Sequence, residues 1–362
     1  MHSNECILHR MKNLTSPLGL KDDKKIMNDK RDKQLDGVKG LAIILVLLGH
    51  IIAYSNPENL KNNLLFNVIY SFHMPLFFFV SGWLVFNRFG PTTLTWIGKK
   101  FMRLVIPYTI FTLFYFFVLF RPSIADITPL RLGQALLSFT VPDSAWFLPV
   151  LFELLLILAL LINAGKAIGE YSFIVFFFMV FFLIPLTSLD GIPAIHQIAV
   201  YSPFVIGGFL VSKHKERLSV YITSIEIAGS VLFILLFSLK HSGFLSPINS
   251  NLFHLYYFYT LAATGIILSW SAIKLLVNYK ISYLFLFCGI LSMELYLTHL
   301  VILNYFTFRH WPIWFGTGTV AILSGTLGLL TLSLILSLTL SFNKKISAII
   351  FGRWSFRSFS QL

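Results

Sequence analysis

A lysine and a histidine stand eleven residues apart in one apolar stretch, as Lys39 and His50 of RDKQLDGVKGLAIILVLLGH. On a helix this spacing is about three turns, so both side chains share a face, roughly 16 Å apart along the axis. Ionisable groups inside a membrane span are costly and mark functional sites by default. An imidazole, whose pKa is ordinarily about 6.5, can act as a general base at neutral pH. The pair therefore predicts proton-transfer chemistry within a membrane.

Two further histidines occur in apolar segments, His73 in SFHMPLFFFVSGW and His299 in LSMELYLTHL. With the topology predicted below, all three histidines lie in the outer halves of three different helices. Each one alone is more typical of packing or of the membrane interface, but together they favour a site. Glu153 and Glu294 lie within the same kind of segment, and buried carboxylates there need partners such as an arginine or a histidine.

Basic residues cluster at the opposite ends of the predicted helices. Lys39 opens the first helix, and Lys99, Lys100 and Arg103 open the third. They mark either the cytoplasmic flank of a span or an anion site for a phosphorylated donor. Asp36, one turn before Lys39, is predicted to pair with it. A thin donor arm reaching from Lys39 to His50 would meet an acceptor hydroxyl entering from outside. His50 would then serve as general base or as an acyl relay.

The amino-acid composition indicates the class of fold that positions these groups. The 362 residues are 56% hydrophobic and 12% charged, with a mean hydropathy of +0.78. This predicts an all-α polytopic membrane protein, because a soluble domain carries roughly twice that charged fraction. The net charge of +13 comes from basic residues in short loops, which argues against a nucleic-acid partner. Cys6 lies in a polar tail and Cys288 in an apolar segment, so we expect no disulfide between them.

Apolar runs of spanning length predict a bundle of about ten transmembrane helices. They cover residues 38–56, 69–86, 104–120, 146–163, 171–187, 195–212, 218–239, 252–272, 282–304 and 316–341. Placing both termini in the cytoplasm leaves 23 Lys and Arg residues inside and five outside, which favours that orientation. The predicted domains are a flexible polar cytoplasmic tail over 1–36, a transmembrane domain over 37–342 and a basic cytoplasmic tail over 343–362.

Five segments, in this order, resemble the membrane-bound acyltransferase-3 family: LDGVKGLAIILVLLGH, HMPLFFFVSGW, KKFMRLVIPY, WFLPVLFELLL and ISYLFLFCGILSMELYLTH. The chain is most similar to the family's sugar O-acetyltransferases, such as fucose 4-O-acetylase-like proteins. The most specific motif is a basic residue, ten intervening positions and a histidine, which Lys39 and His50 satisfy. The chain departs from the family where two arginines three apart are usual, since it has Lys100 and Arg103. That change keeps the charge but weakens bidentate binding at position 100.

The resemblance implies a ten-helix acyltransferase core that moves an acyl group, often acetyl, from acyl-CoA to hydroxyls of extracytoplasmic glycans. It implies that His50 is essential and that Lys39 and Arg103 take part in donor handling. The full set of predicted site residues has three parts. They are catalytic His50, His73 and Asp36; donor-binding Lys39, Lys100 and Arg103; and supporting Glu153, Glu294, His299 and Trp146.

The expected partners are acetyl-CoA or another acyl-CoA as co-substrate, a cell-envelope glycan or lipid-linked sugar, and the lipid bilayer. No metal and no permanently bound cofactor are expected, and the expected location is the bacterial inner membrane. A proton-coupled secondary transporter using the intramembrane His and Glu residues is the alternative. The lack of an internal repeat and of a recognisable broken midplane helix counts against it. A third reading is an acyl-CoA-dependent sensor or assembly factor without turnover.

Overall fold

The computed structural model describes residues 32–55, 57–87, 94–119, 146–168, 193–245, 251–305 and 318–353, with isolated positions 128, 133 and 136. The regular structure within these ranges is helical. The helices are α1 (Lys33–Ser55), α2 (Leu64–Asn87), α3 (Leu94–Phe114), α4 (Phe147–Ile168), α5 (Pro193–Lys213), α6 (Lys215–Ser219), α7 (Ile222–His241), α8 (Asn251–Leu276), α9 (Ser282–Ile290), α10 (Ser292–Tyr305), α11 (Thr319–Phe342) and α12 (Lys344–Phe351). A 3₁₀ turn, Pro57–Asn62, joins α1 to α2, and a π turn, Tyr115–Leu119, extends α3.

Seven of the described helices are long and apolar enough to cross a membrane, namely α1, α2, α3, α5, α7, α8 and α11. Helices α9 and α10 pass the same test only as a bent pair, which is either a broken eighth span or a re-entrant loop. The apolar part of α4, Phe147–Asn163, is shorter than these helices. The predicted span at 171–187 and most of the predicted amino-terminal tail lie outside the described residues. The chain is therefore a multi-pass membrane protein whose described part is all-helical, and the count of ten stays a prediction.

Helix α1 lies at the centre of the bundle, in contact with α2, α8, α9, α10 and α11. It begins at Lys33, before the apolar run, because the Asp32 carboxylate accepts hydrogen bonds from the backbone N–H groups of Gln34 and Leu35. Such an N-cap satisfies donors that a helix end leaves open. The helix is apolar on nearly every side, which is typical of a buried helix. Its central place means that groups on α1 face the interior of the protein.

The ninth predicted span is not one straight helix. α9 and α10 meet at an angle of 83° at Leu291, so the expectations of a continuous span over 282–304 and of no broken helix were wrong. Close packing accompanies the break. A β-carbon at Gly289 would overlap the carbonyl oxygen of Asp36, and one at Gly40 would overlap that of Phe285. Glycine therefore lets the backbones of α9 and α1 touch, which is a common way for membrane helices to associate.

The short connections define two ends of the bundle. The histidine end holds the end of α1, the start of α2, the end of α7 and the start of α8, and His50 lies five residues before the end of α1. The lysine end holds the start of α1. Helix α8 crosses the bundle to this end, where α9 begins, and α11 crosses to it likewise, where α12 begins. Lys39 lies near the lysine end. The two predicted ends of a donor path are thus held on one buried helix.

Candidate active site

Two of the three predicted histidines meet inside the bundle. The ring centroids of His50 on α1 and His299 on α10 are 5.3 Å apart. His299 is fully buried, and His50 is partly buried, with the Tyr54 ring centroid 6.3 Å from its own. Helix α10, which follows the break at Leu291, contacts α1 and carries His299 to it. The structure thereby brings together residues separated by about 250 positions in the sequence.

Hydrogen bonding fixes the tautomer of His299. Its Nδ1 lies 3.0 Å from the carbonyl oxygen of Leu295, which can only accept, so Nδ1 carries the proton. In the neutral ring Nε2 is then an acceptor, and it is buried with no hydrogen-bond partner among the described residues. A buried, unpartnered acceptor is rare in proteins and calls for an explanation such as a catalytic role. His299, ranked only as supporting from the sequence, is therefore a candidate to accept a proton.

His73 makes the same kind of backbone hydrogen bond as His299, and its ring contacts that of a tyrosine. Its Nδ1 donates to the carbonyl oxygen of Ile69 over 2.8 Å, which again leaves Nε2 as the acceptor. The Tyr70 ring stands edge-on to His73 with centroids 4.7 Å apart. Tyr70 also packs against α1 at Gly49, where a β-carbon would come within 2.9 Å of its ring. His73 is thus linked through Tyr70 to the segment of α1 that carries His50.

A carboxylate with two arginines lies five residues before His299. Glu294 is fully buried, and its Oε1 accepts from Arg103 Nη2 at 3.2 Å, from Arg353 Nη2 at 2.7 Å and from Arg353 Nε at 2.8 Å. Glu294 Oε2 is buried without a hydrogen-bond partner among the described residues. The expectation that a buried Glu294 has a cationic partner is confirmed. Two positive charges on one carboxylate leave a net positive charge at this place.

Arg353 is a site residue that the sequence interpretation missed, because it was counted only as a basic residue of the carboxyl-terminal tail. Helix α12 ends at Gly352, whose φ of +60° is a left-handed conformation that favours glycine. A β-carbon there would also overlap the carbonyl oxygen of Met102 on α3. The fully buried Phe351 accepts a hydrogen bond from Arg103 Nη1 through its carbonyl oxygen at 3.0 Å. This turn against α3 aims Arg353 at Glu294.

The predicted pair at the start of α1 is present. Lys39 Nζ lies 2.6 Å from Asp36 Oδ1, and Asp36 is buried. This confirms the pairing, and it places a cation on the lysine end of α1 with a fixed direction. The predicted role of Lys100 in donor binding stays a prediction. Its ammonium lies 5.3 Å from the centroid of Trp96, one turn earlier on α3.

The two remaining predicted residues belong to α4 and its start. Trp146 stacks on Tyr201 of α5, with centroids 5.4 Å apart, inside an aromatic cluster that includes Phe78. Glu153 Oε2 is buried and has no hydrogen-bond partner among the described residues, which differs from the expectation of a partner. The roles of Trp146 and Glu153 as supporting residues stay predictions. Within the described residues, no cluster of His, Cys, Asp and Glu is arranged to hold a metal ion.

Comparison with known proteins identifies the family of the chain. Residues 32–342 match the family model described as an acyltransferase domain, which covers α1 to α11 and ends before Arg353. Over 83 residues the chain is 40% identical to the Nodulation protein NolL of Sinorhizobium fredii, covering 22% of this chain and 23% of that protein. Over 127 residues it is 31% identical to the Nodulation protein NolL of Mesorhizobium japonicum, covering 33% of each.

The matched regions thus span about a quarter to a third of those relatives. No solved structure matches the chain. The family match extends over most of the chain and includes the residues of the histidine pair, the carboxylate and the paired lysine. On this evidence the chain belongs to the acyltransferase-3 family, whose members are membrane acyltransferases.

Proposed function

We propose that this chain is an integral membrane O-acyltransferase that moves an acyl group, in the first instance acetyl, from cytoplasmic acyl-CoA to a hydroxyl of a cell-surface glycan. The observation that carries the proposal is the contact between His50 and the fully buried His299, whose Nε2 has no hydrogen-bond partner among the described residues. A pair of imidazoles inside a membrane is suited to accepting and passing on a proton. The family membership supplies the acyl-transfer class of reaction.

The proposed chemistry needs one base and one leaving group. An imidazole nitrogen of His50 takes the proton from the acceptor hydroxyl, and the hydroxyl oxygen forms a bond to the thioester carbonyl carbon. The carbon–sulfur bond then breaks, and the proton held by the imidazole passes to the departing thiolate. The products are the O-acyl glycan and free CoA. The His299 ring lies 5.3 Å from that of His50, and its buried Nε2 is an acceptor, so His299 is placed to share this proton.

The proposed donor enters at the lysine end. Lys39, Arg103 and Arg353 supply cations there, and such groups bind phosphates well. From Lys39 to His50 the distance along α1 is roughly 16 Å, by the helical rise. A pantetheine-like arm spans that distance when extended. The distribution of Lys and Arg over the predicted loops supports a cytoplasmic lysine end in a bacterial inner membrane.

The test is mass spectrometry of envelope polysaccharides from cells with the intact chain, without it, and with His50→Ala. We expect loss of one acyl unit per modified residue in the cells without the chain and in those with His50→Ala. His196→Ala is the matched control, because His196 is an exposed histidine at the start of α5. Membrane content of each variant is measured in the same cells.

Three results would contradict the proposal. Unchanged polysaccharide masses in all four strains would remove the glycan as acceptor. Full acylation by His50→Ala would remove His50 from the reaction. Proton-driven uptake of a solute with no requirement for an acyl donor would instead identify a transporter.

A further inference from the structure

A cavity of about 410 Å³ opens at the histidine end, between α2, α7 and α8. Its lining combines polar groups with aromatic rings: Asn67, Tyr70, Ser71, Lys240, Phe253 and Tyr257 contribute to the wall. Cavities of a few hundred Å³ with several convergent polar groups are typical of small-molecule sites. None of the catalytic or donor residues predicted from the sequence lies in this lining.

The cavity adjoins the histidines through one residue. Tyr70 lines the cavity on one side, and its ring is 4.7 Å from that of His73 on the other. The same ring packs against Gly49, the residue before His50. A molecule in the cavity is therefore separated from His73 and from the His50 segment of α1 by the side chain of Tyr70. This is the side opposite to Lys39, where a second substrate has to approach.

The chemistry of the lining indicates what kind of molecule fits. Aromatic rings offer apolar faces on which the C–H faces of a sugar ring stack, while amide and hydroxyl groups match sugar hydroxyls. Lys240, at the end of α7, adds a cation, and its ammonium is held 5.9 Å from the centroid of Tyr257. The Tyr257 hydroxyl in turn donates to the carbonyl oxygen of Leu236, which fixes its ring. An ammonium at the rim of a sugar-sized cavity selects an anionic group on the sugar.

We propose that this cavity binds a saccharide carrying a carboxylate or a phosphate, and that it is the acceptor subsite of the transferase. The second half of the statement rests on the proposed function, whereas saccharide binding does not. Lys240 pairs with the anionic group, the aromatic wall carries the sugar ring, and the reactive hydroxyl extends past Tyr70 toward the imidazole of His50.

Binding is tested without any acyl transfer. His254 is exposed and lines the cavity, so His254→Cys places a thiol at the rim. Cys6→Ser removes one native thiol, and Cys288 is fully buried. The protein in nanodiscs is treated with a membrane-impermeant maleimide in the presence of glucuronate, glucose 1-phosphate, glucose or inorganic phosphate. We expect the two anionic sugars to slow labelling at the lowest concentrations, glucose to need more, and phosphate alone to have no effect.

Two variants assign the roles of charge and ring. Lys240→Gln is expected to raise the concentration of anionic sugar needed for protection about tenfold, because one charge-assisted hydrogen bond is lost. The concentration of glucose needed for protection is expected to stay the same. Phe253→Leu is expected to weaken protection by all three sugars alike. Lys61→Gln is the matched control, because Lys61 is an exposed lysine at the same end outside the lining.

Defined results overturn the proposal. They are protection by none of the sugars, equal effects of Lys240→Gln and Lys61→Gln, or protection by added phosphatidylglycerol without sugar, which would make the cavity a lipid site. Failure of the proposed function is seen separately, as unchanged polysaccharide masses beside intact sugar protection. If the chain transfers acyl groups although no sugar slows labelling of the thiol at position 254, only the assignment of the cavity as acceptor subsite is disproved.

Discussion

Replacing Arg353 by glutamine tests whether the carboxyl-terminal turn is part of the site. Arg353 makes two contacts to Glu294 Oε1, at 2.7 Å and 2.8 Å, while Arg103 approaches the same oxygen at 3.2 Å. A hydrogen bond to a charged group contributes about 1.5–3 kcal/mol. The two contacts share one acceptor that keeps Arg103, so they do not add fully. We expect Arg353→Gln to lower the free energy of unfolding by about 2–3 kcal/mol.

The chain carries its own reporter for this measurement. Cys288 on α9 is fully buried, so a thiol-reactive dye detects unfolding once Cys6 is changed to serine. In a large chain 1 kcal/mol shifts the midpoint of thermal unfolding by roughly 2 °C, so a fall of about 5 °C in that midpoint is expected for Arg353→Gln. Lys345→Gln, an exposed lysine of α12, is the matched control and is expected to leave the midpoint unchanged.

A double-mutant cycle separates the ion cluster from general damage to α12. Arg353→Gln in a Glu294→Gln background is expected to cost much less than in the native chain, because the carboxylate that it serves is gone. Equal midpoints for Arg353→Gln and Lys345→Gln would refute the argument. So would additive effects of the two changes at 353 and 294.

Three further predictions address packing, proton transfer and the donor. Gly289→Ala is expected to prevent stable assembly of the helices, because its β-carbon would overlap the backbone of α1. Gly207→Ala is the control and is expected to be tolerated, because the space around position 207 is open. The measurement is the yield of folded protein extracted from membranes, by size-exclusion chromatography. His299→Phe keeps a ring but removes the acceptor Nε2, so acyl transfer is expected to fall by about 10²-fold or more at normal protein level, and unchanged transfer would exclude a role in proton movement. Lys39→Met is expected to raise the KM for acyl-CoA several-fold with a smaller change in kcat, and a change in kcat alone would place Lys39 outside the donor site.

Much of the site followed from the sequence because its residues are costly where they occur. A lysine, three histidines and two glutamates inside apolar segments are expected to have partners, so the pairing of Lys39 with Asp36 and of Glu294 with an arginine or a histidine was predicted. The presence of helices followed from the length of the apolar runs. The meeting of His50 with His299 was expected only as a similar depth, since depth says nothing about which helices are neighbours.

Other features left no signal in the sequence. The break at Leu291 interrupts a continuous apolar run without a proline, and it is associated with contacts between α9 and α1 that only the folded protein contains. Arg353 stands among basic residues of a short polar segment, where a membrane flank explains it equally well. Only the positive φ of Gly352 and its approach to α3 show that this arginine turns inward. The cavity beside Tyr70 is formed by three helices and has no counterpart in any single segment.

The contact of α1 with α9 has a consequence for how substrates and protein move. Two backbones that touch at Gly40 and Gly289, with no side chain between them, have no flexible layer along which to slide. We therefore expect α1 and α9 to move together as one unit. His50 belongs to this unit, so under the proposed function a conformational change would move the other helices around His50 more readily than it would move His50 relative to α9.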